Sequence, residues 1–322
     1  MNNRSDIIKE ALRRFPKLPT QTIARYILHN YGAFFDGSLE NIRHSLRYRL
    51  GADGSKMRER NKNIIKRPEI KMPVTWRRQR PPYKLKPGLW LVLSDTHIPF
   101  HEPKPIEAAI KYGQEKQATG ILFNGDMQDC AAVSYWPSAI KRDFDKEIEA
   151  TIDFLDFLEQ ELPVPIVYKP GNHEYRLPRL FASKVPDLIG VPLQAMDTVL
   201  GLESRGIEFL DYHQIVYAGK LPIIHGHEIR AISRAVNPAR GLFMRTKSWS
   251  ACSHCHSTSE HSERNIQGNY LTTWSFGCLS DLNPDYCSVA SPWNWGFGMI
   301  NVEKSGQFVV ENLRILPNGK VV

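Results

Sequence analysis

Residues 251–261, ACSHCHSTSEH, hold two cysteines and three histidines in eleven positions. Thiolate and imidazole are the ligand types that bind zinc and its transition-metal neighbours. Cys252, His254, Cys255 and His256 are enough for a closed four-ligand zinc module. They read equally well as a few members of a larger site whose other ligands lie upstream. Donors of the same kind recur there: Ser94-Asp95-Thr96-His97, Asn124-Gly125-Asp126-Met127-Gln128-Asp129, Gly171-Asn172-His173-Glu174 and His225-Gly226-His227. Carboxylate, amide and imidazole groups together suit divalent cations, and such cations suit the hard oxygens of phosphate.

Each upstream cluster follows a short apolar run. LWLVL (89–93), ILF (121–123), PIVY (165–168) and LPII (221–224) read as buried strands, and 104–117 and 144–161 as amphipathic helices. Strands alternating with helices indicate an α/β domain. In such sheets the carboxyl ends of the strands share one edge, and that edge carries the site. Asp-x-His or Gly-Asp alone is commonplace. The ordered set of Asp-x-His, Gly-Asp-x-x-Asp, Gly-Asn-His-Glu, His and His-x-His, each placed after an apolar run, is specific.

With these motifs in this order, residues 88 to 315 resemble the calcineurin-like metallophosphoesterases. Within that family the chain looks most like the stand-alone phosphoesterases of bacteriophages and prophages. Those also have a small basic helical region in front and a segment similar to WSFGCLSDLNPDY behind. The resemblance implies a four-layer αββα sandwich, two sheets back to back with helices outside. It also implies two divalent metal ions, manganese first, with iron or zinc as alternatives. By motif position, Asp95, His97 and His256 bind one ion, Asn172, His225 and His254 the other, and Asp126 bridges them. His173 stays off the metals and serves the leaving group, oriented by Asp129. Two cations clamping a phosphate and acidifying a bridging water to hydroxide would supply the nucleophile, and a free histidine the proton.

The chain departs from the family pattern at Ser253, where the last motif usually has glycine, and at Cys255 between the histidines. Glycine serves where backbone dihedrals are unusual, so Ser253 puts the loop geometry in question. Cys252 and Cys255 could make a separate zinc site with His261, Cys278 or Cys287, or simply pack as thiols beside the centre. His227 is expected to support the site without binding metal. Arg176 and Arg179 follow the third motif, where arginine grips phosphate or pairs on the surface; His101 follows the first motif closely. Trp274, Tyr286, Trp293 and Trp295 are readable as base-stacking residues or as core.

The 322 residues are 42% hydrophobic and 24% charged, ordinary for a globular protein. No run of apolar residues is long enough for a membrane span, and MNNRSDIIKE lacks the core of a secretory signal. Five scattered cysteines suit reduced thiols, so a cytoplasmic location is expected, the host cytoplasm if phage-encoded. Residues 1–88 hold 21 of the 42 Lys+Arg but only 7 of the 34 Asp+Glu, a net of +14 against −6 for the rest. Such asymmetry points to polyanion contact.

Residues 1–53 read as a basic three-helix, helix-turn-helix-like domain. Ser5, Thr20 and Ser38 are the expected caps, and Ile7, Ile8, Leu12, Ile23, Ile27, Ile42 and Leu46 the apolar faces. Arg43, Arg47 and Arg49 on the third helix are the candidate nucleic-acid contacts. Residues 54–88, with 12 Lys+Arg and five prolines, read as a linker, and 89–322 as the catalytic domain. The leading expectation is therefore a metal-dependent phosphodiesterase acting on DNA or RNA. A phosphodiesterase or phosphatase acting on small nucleotides or phosphoproteins, and a DNA-binding protein using the fold as a scaffold, are the rivals.

Overall fold

The computed structural model describes residues 3–51, 72–75, 80–135, 142–188, 191–230, 232, 236–284 and 291–322. Most of the basic linker segment, together with Tyr286 and Cys287, lies outside them. The chain divides into two compact units, Met1–Arg77 and Arg78–Val322.

In the first unit, helices α1 (Arg4–Arg14), α2 (Thr20–Tyr31) and α3 (Leu39–Leu50) bury Ile7, Ala11, Ile23, Ile27, Ile42 and Leu46 against one another. Phe35, on a single 3-10 turn (Gly32–Phe35), plugs the same core. Ser38 caps α3 by accepting from the Asn41 amide. The other two expected caps are displaced. Asn3, not Ser5, caps α1 by accepting from the Asp6 amide, because the helix starts one residue before Ser5. Thr20 is already inside α2, which follows Pro19 with no side-chain cap. Arg43 and Arg47 both reach Glu40, at 2.8 and 3.6 Å, and Arg49 donates to Ser5 Oγ.

The second unit is built on two six-stranded sheets. Strands β1 (Tyr83–Lys84), β6 (Val216–Ala218), β7 (Leu221–Ile223), β8 (Ser250–Cys252), β10 (Tyr270–Ser275) and β9 (Ser259–Arg264) form one, in that order. The other runs β12 (Phe308–Arg314), β11 (Gly296–Val302), β2 (Gly88–Leu93), β3 (Gly120–Asn124), β4 (Ile166–Lys169), β5 (Glu208–Phe209). Pairing of β1 with β6 brings residues expected to be linker into this unit, where Arg80 also pairs with Asp211 at 3.0 Å.

Strand alternation sorts the core into two layers. Trp90, Val92, Leu122 and Val167 point at the other sheet and meet Val216, Ile223, Ala251 and Phe276. Leu91, Leu93, Ile121, Phe123, Ile166 and Tyr168 point the opposite way. They pack under α4 (Pro103–Glu115) and α5 (Phe144–Glu161), through Ile106, Ile110, Phe154 and Leu158. After α6 (Arg176–Lys184) and α7 (Val191–Leu200), helix α8 (Pro238–Thr246) covers the outer face of the other sheet, with Leu242 on Cys252. The layers are thus helix, sheet, sheet, helix. No described helix is long and apolar enough to cross a membrane.

Strands β2, β3 and β4 are parallel, with Leu93 opposite Phe123 and Asn124 opposite Lys169. Their carboxyl ends therefore open on one edge. In the second sheet β7 and β8 are also parallel, with Ile223 opposite Ala251. Five strand ends from the two sheets deliver the chemistry-bearing loops.

Candidate metal centre

The five loops are knit together by their own backbone. The Asp95 amide donates to the Gly125 carbonyl (3.0 Å), His97 to Asp126 (3.0 Å) and Ile98 to Met127 (2.8 Å). Ser253 donates to the His225 carbonyl (2.7 Å). Two glycines are required by close approach: a Cβ at Gly125 would lie 2.3 Å from His225 Nδ1, and one at Gly171 2.2 Å from Asp126 Oδ1. Asp95, His97, Asp126, His254 and His256 themselves sit in the left-handed region, with φ of 53°, 49°, 53°, 67° and 54°. Non-glycine residues rarely hold that conformation, and strain of this kind gathers at functional sites.

Each buried aspartate divides its oxygens. Asp95 accepts from the His254 amide through Oδ2 (3.1 Å), and Asp126 from the His173 amide through Oδ1 (2.9 Å). That leaves Asp95 Oδ1 and Asp126 Oδ2 buried without a well-formed hydrogen bond, as are Asn172 Oδ1 and His225 Nε2. His225 Nε2 lies 3.0 Å from Asp126 Oδ2, and His256 Nε2 lies 3.3 Å from Asp95 Oδ1. His97 Nε2 is 3.1 Å from His256 Nε2 and 4.0 Å from one oxygen of each aspartate. Buried polar atoms are almost always paired, so such converging atoms call for a cation. Asp95, His97 and His256 form one group able to hold a metal ion, and Asp126, His225 and His254 another. A third group, His97, Asp126 and His173, joins His173 to the same cluster. Oxygen and imidazole donors of this kind fit a pair of divalent cations.

The outer nitrogens fix the imidazole tautomers. His225 Nδ1 donates to the Asn124 carbonyl (2.8 Å), and His97 Nδ1 to Asp129 Oδ1 (3.0 Å), so each ring turns Nε2 inward. Asp129 Oδ1 also faces His173 Nδ1 at 2.9 Å, so this carboxylate orients two histidines. Burial pulls the His173 pKa down, but the Asp126 charge and the hydrogen bond to Asp129 outweigh it and the net shift is upward. Burial likewise opposes the charged form of His225, yet the nearby Asp126 and Asp95 raise its pKa to about 10. At His97 and His254 burial and the neighbouring histidines win instead, and their pKa values fall, that of His254 to about 3.

Arg176 joins this set. It donates to the Asp129 carbonyl (2.6 Å) and to Asp129 Oδ2 (3.1 Å), and its guanidinium lies 3.0 Å from His173 Nε2. Arg179, on the same helix, is exposed. His227 stands outside the donor groups; burial depresses its pKa to about 4, and its ring lies 4.8 Å from that of Tyr212. His101 lies beside Phe154 instead. No cysteine enters a donor group among the described residues, and His261 pairs with Glu263 at 2.8 Å. Ser253 does not occupy the left-handed region; its Oγ accepts from Asn124 Nδ2 at 2.9 Å, and the strain falls on the two histidines that follow it, His254 and His256.

Sequence reasoning missed the residues that hold the loops. Glu174 accepts from the amides of Gly171 (2.7 Å), Gln128 (3.1 Å) and Asp126 (3.2 Å) and from the Tyr168 hydroxyl (2.8 Å). Glu228 accepts from Gly226 (2.7 Å) and His225 (3.3 Å) and is paired to the buried Lys169 at 3.0 Å. Glu147 accepts from the amides of Cys130 and Ala131 just beyond Asp129. Only Glu174 had a signal, as the last residue of its motif.

A family model for calcineurin-like phosphoesterases matches residues 90–271. The Gene 54 protein of Mycobacterium phage L5 is 26% identical over 243 residues, covering 71% of this chain and 94% of that protein. The Gene 54 protein of Mycobacterium phage D29 is 24% identical over 226 residues, covering 66% and 88%. Among solved structures, a dimetal phosphatase from Danio rerio aligns over 70% of this chain and 96% of its own at 10% identity, with a TM-score of 0.38. Vacuolar protein sorting 29 from Cryptosporidium parvum aligns over 74% and 96% at 13% identity, again with a TM-score of 0.38. The family match spans more than half of the chain and takes in every donor loop, from Asp95 to His256: the chain belongs to the calcineurin-like phosphoesterases.

Proposed function

We propose that this phosphoesterase cleaves phosphodiester bonds in nucleic acid at a two-metal centre. Asp95, His97 and His256 would hold one ion, and Asn172, His225 and His254 the other, with Asp126 shared. Manganese is the first choice, with iron or zinc as alternatives. Such ions, when bound, neutralise phosphoryl charge and make a coordinated water acidic. The observation that carries this reading is the set of buried, unsatisfied donor atoms on Asp95, Asp126, Asn172 and His225.

His173 is the proton donor for the leaving oxygen. Its Nδ1–H is anchored on Asp129, and its upward-shifted pKa favours the protonated ring. Nε2 faces the cluster, 3.8 Å from Asp126 Oδ2, with the Arg176 guanidinium beside it to meet negative charge. Nucleic acid as substrate is supported by the net +14 of residues 1–88. Arg43, Arg47 and Arg49 on α3 would contact the backbone phosphates.

The test uses the full chain loaded with Mn²⁺. It should hydrolyse an aryl phosphodiester and cut DNA or RNA, the latter with steep salt dependence. His173→Ala should lower the rate by about 10²–10⁴-fold with metal content unchanged. A metal-loaded protein inert toward every phosphodiester would overturn the reading.

A further inference from the structure

Trp274 lies in the core between the sheets, and Trp295 packs against the core under α4 and α5, so both serve packing. Helix α3 of the first unit offers a surface of another kind. Its apolar side, Leu39, Ile42 and Leu46, packs with residues of α1 and α2. At about 100° per residue, Asn41, His44 and Tyr48 form the row on the opposite side. All three are exposed, Tyr48 at 70%. None of the three side chains has a hydrogen bond, ion pair or ring contact among the described residues. The arginines do not belong to this row. Arg43 and Arg47 lie along one flank, where both meet Glu40, and Arg49 along the other, where it donates to Ser5 Oγ.

Outward rows elsewhere in the chain are charged. Helix α4 exposes Lys104, Glu107 and Lys111, and α5 exposes Asp145, Glu149, Asp153 and Asp156. Asn, His and Tyr are weaker helix formers than the Lys and Glu of α4, so the α3 row gives up some helix stability. What its three side chains share is the ability both to donate and to accept a hydrogen bond. Base-pair edges present donors and acceptors mixed in this way, and the major groove of B-DNA is wide enough for an α-helix. An Asn side chain can bond adenine N6 and N7 together, and an imidazole N–H can meet the guanine acceptors N7 and O6. The groove walls are lines of phosphate, which arginines on the two flanks of the helix match. The unit carries the fitting charge, nine Lys+Arg against four Asp+Glu over residues 3–51. The deep, narrow major groove of A-form RNA does not admit side chains in this way. We propose that α3 lies in the major groove of double-stranded DNA and reads base edges through Asn41, His44 and Tyr48. The chain then prefers duplex sites of particular sequence. This rests on the reading of nucleic acid as the substrate.

The Mn²⁺-loaded full chain carrying His173→Ala is mixed with a pool of random-sequence duplexes, and the bound DNA is recovered and sequenced. A short motif should emerge, bound about 10–100-fold tighter than its scrambled duplex. Asn41→Ala and His44→Ala should each cut that preference about tenfold while leaving affinity for the scrambled duplex unchanged, and Tyr48→Ala should cut it less. Arg47→Ala should instead weaken both duplexes alike and reduce the salt dependence. An RNA duplex of the motif sequence should not compete. All these residues are exposed, so the variants should fold, which circular dichroism checks. No enriched motif, a motif whose preference survives all three alanine substitutions, variants at Asn41 and His44 that weaken both duplexes alike, or RNA competing as well as DNA would overturn the proposal. DNA cleavage by the unmutated chain with no motif would sink the base-reading helix and leave the nuclease reading standing. A motif without cleavage of any phosphodiester would do the reverse.

Discussion

His97 and His225 turn their Nε2 atoms into one cluster but are held from behind by different partners. His97 leans on the Asp129 carboxylate, which also serves His173 and Arg176. His225 leans on the Asn124 carbonyl at the end of a buried strand, and its loop is clamped by Glu228 and Lys169. The first half of the centre is thus tied to His173 through shared charge. The second is tied to the sheet. A change behind His97 should disturb metal binding and proton transfer together, whereas a change behind His225 should disturb metal binding alone.

The largest test of this division is Asp126→Ala. Asp126 faces both halves and holds the His173 amide. Its loss should abolish activity and empty both sites, read as metal content by mass spectrometry; one ion retained at full occupancy would show the halves to be independent. Next come Asp129→Asn and Glu228→Gln as a pair. Each should weaken one half by about 10–100-fold in metal affinity. Only Asp129→Asn should also change the pH profile of kcat, because only it touches His173.

A smaller effect concerns Glu147, which braces the chain beyond Asp129. Burial pushes its pKa up from 4.5 to about 7, against the two backbone amides that favour its charge. A carboxyl raised in this way stabilises the fold while protonated. Its contribution is complete below about pH 4.5 and is lost as pH rises through about 7. Thermal unfolding should therefore show a loss on the order of 2 kcal/mol between pH 5 and 8, flattened in Glu147→Gln. The smallest effect is Ser253→Gly: one hydrogen bond to Asn124 lost, about 1 kcal/mol, with metal content intact.

The donors were legible because each ends an apolar run, and an apolar run of four or five residues says where a strand stops. The convergence of His254 and His256 on those loops was legible for the same reason of order, once the upstream motifs were in place. The supports were not. Glu147 and Glu228 are ordinary helix or loop carboxylates in sequence, and only the tertiary fold brings backbone amides to them. Lys169 reads as a strand-ending surface lysine, yet its side chain is fully buried. In the helical unit the apolar faces followed from spacing, while two caps were misplaced, since a cap depends on where the first turn closes. The short strand β1 gave no pattern because two residues have none.

Five donor residues in left-handed backbone have a consequence beyond catalysis. At about 1 kcal/mol each, they hold conformational energy comparable to the net stability of a small domain. Ions that bind only the folded chain offset it. The cellular abundance of this protein should accordingly follow metal supply, with chain made during metal starvation being turned over sooner than chain made in its presence.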